Sequence, residues 1–138
     1  MTRNGEVSFW WHQEGPPAPR PPLPGDLDVD VAIVGAGYTG LWTAYYLAER
    51  RPDLRIVVLE RRYAGFGASG RNGGWLTNSV TGGRERYGRE GGIRQQRAMN
   101  DTVDEVIRVE AAEGIDADIH RGGELTIARS GAQLARLE

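Results

Sequence analysis

Gly35-Ala36-Gly37-Tyr38-Thr39-Gly40 has the spacing G-x-G-x-x-G and stands where the β-branched run Val29 to Val34 gives way to helical spacing. In that context the glycines suit the close approach of a diphosphate. Gly35 serves the tight turn, Gly37 leaves room that any side chain would deny a pyrophosphate, and Gly40 lets the following helix come close to the strand. The helix start offers unpaired N–H groups and roughly +0.5 charge to an anion, so no lysine is needed. Glu60 lies 25 positions after Gly35 and closes a second apolar run. Its carboxylate can accept hydrogen bonds from both hydroxyls of a ribose and would repel a 2′-phosphate. Arg61 and Arg62 could hold the phosphate of NADP, which Glu60 opposes. These residues point to an adenine dinucleotide, NAD or FAD.

The elements that must position them follow from periodicity. Val29 to Val34 and Arg55 to Glu60 read as buried strands, too short for helices. Tyr38 to Arg50 reads as a helix, with Leu41, Ala44, Tyr45 and Ala48 on one face, cations near its end and Pro52 to stop it. Strand, helix and strand with short joints make a right-handed βαβ unit, whose strands must run parallel. Six of the seven prolines fall in Pro16 to Pro24, after Phe9, Trp10 and Trp11. That stretch reads as an extended, polyproline-like arm whose tryptophans can anchor in an apolar groove. A long helix is expected from about Gly92 to Ala112, with Met99, Val103, Val106, Ile107 and Glu110 in phase and Asp104 paired with Arg108. Thr102 with Glu105 offers an alternative helix start. Ala117 to His120 and Glu124 to Ala128 read as an antiparallel hairpin, and Ser130 caps a further helix.

Composition removes several classes of function. The chain has 138 residues with 17 basic and 19 acidic side chains, a net charge of −2. That leaves no field of one sign for a polyanion, so no nucleic-acid partner is expected. There is no cysteine and there are two histidines, which excludes disulfides and thiolate catalysis and argues against a metal site. His12 and His120 read as surface residues. Val31 to Ala48 is free of charge for eighteen residues, the length of a candidate membrane span. Its three glycines and the acidic Asp26, Asp28 and Asp30 before it argue against a span or a signal peptide, and a cytoplasmic protein is expected.

Between Gly65 and Gly92 lie ten of the twenty glycines, together with Phe66, Trp75, Leu76 and Val80. The apolar residues predict ordered backbone lying close to something rather than disorder. Gly65-Phe66-Gly67-Ala68-Ser69-Gly70-Arg71-Asn72-Gly73-Gly74 resembles the flavin loop of the D-amino acid oxidase superfamily (DAO), most closely its gamma-glutamylputrescine oxidoreductase-like amine oxidases. The aromatic segment before the proline arm, the turn through Leu41, the long helix and Arg121-Gly122-Gly123-Glu124-Leu125 to Ala128 extend the resemblance over nearly the whole chain. The family usually has glutamine after the double glycine, where this chain has Trp75, and an indole cannot offer an amide there.

The resemblance implies FAD as the cofactor and an α/β fold. The N-terminal βαβ of a Rossmann-like FAD-binding domain would be followed by the start of a β-rich substrate domain. It implies an arm over residues 1–27, part of the FAD-binding domain over 28–113 and a truncated substrate domain over 114–138. The chain would then be the N-terminal portion of an enzyme that oxidises a small amine or amino acid by hydride transfer. Catalytic residues would lie beyond residue 138. Ser69 would contact the pyrophosphate, or else serve as a helix cap. Arg71 and Asn72, with the Gly73 and Gly74 backbone, would lie along the flavin, and Glu60 with Arg61 would bracket the adenosine. Tyr38 and Thr39 complete the cofactor-binding turn. Two other readings remain: a non-catalytic dinucleotide-binding fragment, and an NAD-dependent dehydrogenase domain.

Overall fold

The computed structural model describes residues 8–80, 82 and 84–137. The chain divides into two compact units, Met1–Trp75 and Leu76–Glu138. In the first, α1 (Phe9–Glu14) precedes β1 (Val31–Val34), α2 (Tyr38–Arg50) and β2 (Ile56–Leu59). The strands pair in parallel, Val31 with Ile56 through to Val34 with Leu59, so strand, helix and strand form the expected βαβ unit. Gly35 N–H donates to Leu59 O at 2.8 Å and extends the ladder into the turn.

Exposed charges fasten the other end of the sheet. The Asp30 carboxylate accepts from Arg55 N–H at 2.8 Å and from its guanidinium at 3.2 and 3.3 Å. The Arg55 side chain, and then its amide, hold the Asp30 carboxyl below the usual aspartate range. A depressed carboxyl stabilises the fold above its unfolded pKa, and that contribution is lost as pH falls through the folded value. The chain should therefore lose stability on acidification, and Asp30→Asn should flatten the acid side of the profile of denaturation midpoint against pH. An unchanged profile would show that the latch contributes nothing.

The sheet is less buried than periodicity predicts. Val31 and Ile33 are half-buried, whereas Ala32 is exposed and Val34 is 87% exposed. Ile33 lies on the α2 side, where its Cγ2 would be 3.3 Å from a Cβ at Gly40. The alternate residues of β1 therefore face away from the helix. On α2 the half-buried residues are Gly40, Trp42, Ala44, Tyr45, Tyr46 and Leu47, with Leu41 and Ala48 exposed, which turns the expected face. The cause is aromatic: Trp42 stacks on Tyr46 at 5.5 Å, with Tyr45 edge-on to both.

In the second unit, a 3₁₀ turn (Arg84–Tyr87) leads into α3 (Gly88–Glu113). Thr102 is interior to α3 and its hydroxyl donates to Ala98 O at 2.7 Å, so the alternative start is overturned. Gly114 ends the helix at φ +64°. Its N–H bonds Ala111 O and Ile115 N–H bonds Glu110 O, the paired closure of a left-handed cap. The expected Asp104–Arg108 pair is replaced: Arg108 binds Glu105 at 2.7 Å and Asp104 binds Arg121 at 2.8 Å. The predicted hairpin at Ala117 to His120 and Glu124 to Ala128 is not formed, and residues 115–129 carry no regular element. Leu125 is 84% and Ile127 71% exposed, and a two-stranded hairpin without a packed face is marginal in water. Ser130 caps α4 (Gly131–Leu134) by accepting from Gln133 N–H at 3.3 Å, as expected.

Candidate functional site

The turn after β1 is built as its glycines suggest. Gly35 has φ +104°, a conformation other residues rarely adopt. A Cβ on Gly40 would strike Gly35 O and lie 3.2 Å from its carbonyl carbon, so α2 meets the turn in bare backbone contact. Between them, Ala36 N–H donates to Glu60 Oε2 and Arg62 N–H to Oε1, both at 3.0 Å. Those amides, Ala36 first, hold the Glu60 carboxyl below the usual glutamate range. Glu60 is thus an anion at neutral pH beside the strand end. Each oxygen keeps acceptor capacity for a hydroxyl.

No side chain near in sequence caps α2 at Gly37. The cap arrives from 31 residues away: Tyr38 N–H donates to Ser69 Oγ at 3.0 Å. Ser69 therefore takes the cap reading here, and the hydroxyl that accepts from the helix still has its own proton to give. A Cβ on Gly37 would come 3.0 Å from that Ser69 oxygen. Gly65 N–H donates to Ala36 O at 2.9 Å, which ties the start of the glycine-rich loop to the turn. The loop then closes on itself through a 3₁₀ turn (Ala68–Gly70), so tightly that a Cβ on Gly70 would strike Gly65 O.

Asn72 sets the far side of the loop. Its Nδ2 donates to the Tyr38 hydroxyl and to Ser69 O, both at 2.8 Å, and its Oδ1 accepts from Gly74 N–H at 2.8 Å. Together Tyr38, Ala68, Ser69, Asn72, Gly73 and Trp75 line a cavity of about 420 Å³ at the start of α2. That volume lies within the ordinary range for a small-molecule site.

Among the residues expected to act together, Gly35, Gly37, Tyr38, Thr39 and Gly40 form the turn and first helical turn, and Ser69, Asn72, Gly73 and Gly74 form the loop against it. Arg71 goes elsewhere: its guanidinium lies 5.8 Å over Trp11 and 5.5 Å over Phe66, and its Nε donates to Gly67 O at 3.1 Å. Arg61 is exposed beside Glu60. His120 sits on the surface with its side chain 85% exposed, as read from the sequence. Sequence reasoning missed Ser8 and the hydrogen bond of Trp10, which it read only as an apolar anchor. Ser8 Oγ donates to Gly70 O and Trp10 Nε1 to Asn72 O, both at 2.8 Å. The detectable signal was the density of aromatics at Phe9 to Trp11, where Trp11 stacks on Phe66 at 5.6 Å.

The residues present suit the diphosphate of an FAD: the glycine turn and the glycine-rich loop meet where a Cβ on Gly37 would press on Ser69, and the start of α2 offers N–H donors there. Among the described residues no helix is long and apolar enough to cross a membrane. Gamma-glutamylputrescine oxidoreductase of Escherichia coli is 41% identical over 125 residues, covering 88% of this chain and 29% of that protein. Probable oxidoreductase OrdL of Haemophilus influenzae is 43% identical over 67 residues, 49% of this chain and 15% of the relative. Thiamine thiazole synthase of Pyrobaculum aerophilum is 53% identical over 53 residues, 38% of this chain and 20% of the relative. The chain thus spans less than a third of the length of each of these relatives. No solved structure matches it. The model of the DAO family, FAD dependent oxidoreductase, matches residues 30–138, and with glycine turn, acidic strand end and glycine-rich loop assembled in that span the chain belongs to this family.

Proposed function

We propose that the chain binds FAD as the N-terminal portion of an enzyme that oxidises a small amine or amino acid. The observation that carries the reading is the meeting of the two glycine segments, with Ser69 on the first amide of α2 and Asn72 reaching Tyr38. The N–H groups of the first turn of α2 and the Ser69 hydroxyl hold the diphosphate. Glu60, with Arg61 beside it, takes the adenosine ribose. Asn72 keeps the Gly73 and Gly74 backbone flat enough for a planar ring to lie along it. Arg71 acts from behind, clamping Gly67 O while resting on Trp11 and Phe66. The FAD-binding part over 28–113 and the lead into a substrate domain over 114–138 belong to this proposal, with the site's own residues all in the first unit. FAD when bound supplies the acceptor for a hydride leaving the carbon that bears a neutral amine, after which the imine hydrolyses.

The amine class is favoured by the relative that covers most of this chain, whose name specifies gamma-glutamylputrescine. The test is purification with FAD of the complete enzyme that carries these residues. It should hold stoichiometric flavin that is bleached anaerobically by an aliphatic amine or amino acid. Flavin held but bleached by neither would overturn the substrate class. Colourless protein that binds NAD tightly would overturn the cofactor.

Glu60→Gln keeps the side-chain length but turns an NH2 group toward one of the two amides that the carboxylate accepts, and should weaken FAD by about 1 kcal/mol, less than a charged hydrogen bond usually contributes because the site is open to water. Because the ribose hydroxyls bond the ionised form, wild-type affinity should also fall in acid, below the usual glutamate range since the Ala36 and Arg62 amides lower the carboxyl's pKa, and the variant's should not. Titration of flavin fluorescence at several pH values checks both, and equal dissociation constants throughout would remove Glu60 from the site.

A further inference from the structure

The arm before the proline stretch is hydrogen-bonded to the glycine-rich loop at two carbonyls. Ser8 is 5% exposed and its hydroxyl donates to Gly70 O, while the Trp10 indole N–H donates to Asn72 O at 2.8 Å across 62 residues. The Trp10 ring lies directly under Gly74, where a Cβ would come within 3.2 Å of Cζ2. Among the described residues no peptide bond is cis. In a planar trans peptide the N–H points opposite to the carbonyl before it. With Asn72 O turned to the arm, the Gly73 N–H is turned away from it. Gly73 lines the cavity, and among the described residues its N–H has no partner.

We propose that Trp10 is a positioning residue: by holding the Asn72 carbonyl, its indole N–H presents the Gly73 amide as a hydrogen-bond donor to the polar edge of the bound flavin. The proposal rests on the FAD reading above. It gives the aromatic arm a part in the cofactor's electronics, since a fixed donor at that edge favours the charge gained on reduction.

The test is Trp10→Phe in the full chain loaded with FAD, which keeps an aromatic ring under Gly74 and removes the donor. The visible bands of the flavin should shift, its reduction potential should fall, and the FAD dissociation constant should rise roughly five- to tenfold. Should that variant fold poorly, benzothienylalanine at position 10 replaces the N–H with sulfur at nearly constant shape and must give the same shifts. Independently of flavin, the Trp10 indole proton of cofactor-free protein should exchange slowly with solvent. Wild-type protein that binds FAD, with spectrum, potential and affinity unmoved by either change, overturns the proposal and leaves the FAD reading intact. Protein that binds no FAD, even with a protected indole proton, overturns both.

Discussion

Gly40→Ala is expected to destabilise the first unit by about 1–3 kcal/mol and to weaken FAD with it, although alanine is the better helix former. Propensity alone favours the change by roughly 1 kcal/mol in a helix interior. The neighbours decide the sign. A Cβ at position 40 would strike Gly35 O and lie 3.2 Å from its carbonyl carbon and 3.3 Å from Ile33 Cγ2. The first two are backbone atoms of a turn fixed by Gly35 N–H on Leu59 O, and neither can swing aside as a side-chain tip can. The helix must then tilt from β1, at the usual cost of overpacking. Its leading N–H groups would leave the cavity, so stability and affinity should drop together. Denaturant unfolding and an FAD titration check this, and a variant as stable as the wild type would show that the close approach is not needed.

The same turn shows what the sequence could and could not reveal. The G-x-G-x-x-G spacing was legible because it sat between a period of two and a period of 3.6, and strand, helix and parallel pairing followed as expected. The Ser69 contact with Tyr38 was only half legible. Residue type allowed either an anion contact or a cap, and the folding of the loop decides which helix receives the cap. Partnerships among exposed charges were the least legible. Asp104 and Arg108 are four apart and compatible on one helix face, yet each has a different partner. Such pairs are worth a few tenths of a kcal/mol, too little for local spacing to dictate. The hairpin near Arg121 failed for a different reason. Its alternation was real, but alternation stabilises strands only where one face is covered, and Leu125 and Ile127 are exposed.

Burial shows a related mismatch. The β-branched runs predict strands covered on both faces, while in β1 the face opposite α2 is open at Ala32 and Val34. Continuous apolar strands belong to sheets with helices on both sides. The sequence of β1 therefore has more apolar surface than the two-stranded sheet covers.

Gly37→Val should separate binding from folding, the reverse of Gly40→Ala. Gly37 has φ −88° and ψ −174°, extended backbone that a β-branched residue adopts without strain. A Cβ there meets no backbone atom within 4 Å, only Ser69 Oγ at 3.0 Å and Ser69 Cβ at 3.9 Å. Rotation of Ser69 relieves that contact at the loss of one exposed hydrogen bond, so the unfolding midpoint should move little. The diphosphate has no such remedy. It must come within hydrogen-bonding distance of the α2 amides, and the γ-methyl groups of valine fill that approach while Ser69, turned aside, no longer offers its hydroxyl. FAD affinity should fall by more than about a hundredfold, the equivalent of about 3 kcal/mol for excluding a ligand that a smaller side chain would admit in part. Gly37→Ala should lie between, since one methyl group displaces Ser69 without closing the approach. The order glycine, alanine, valine in FAD titrations, at nearly constant denaturation midpoint, is the expected result. A valine variant that retains wild-type affinity would place the diphosphate somewhere other than the start of α2.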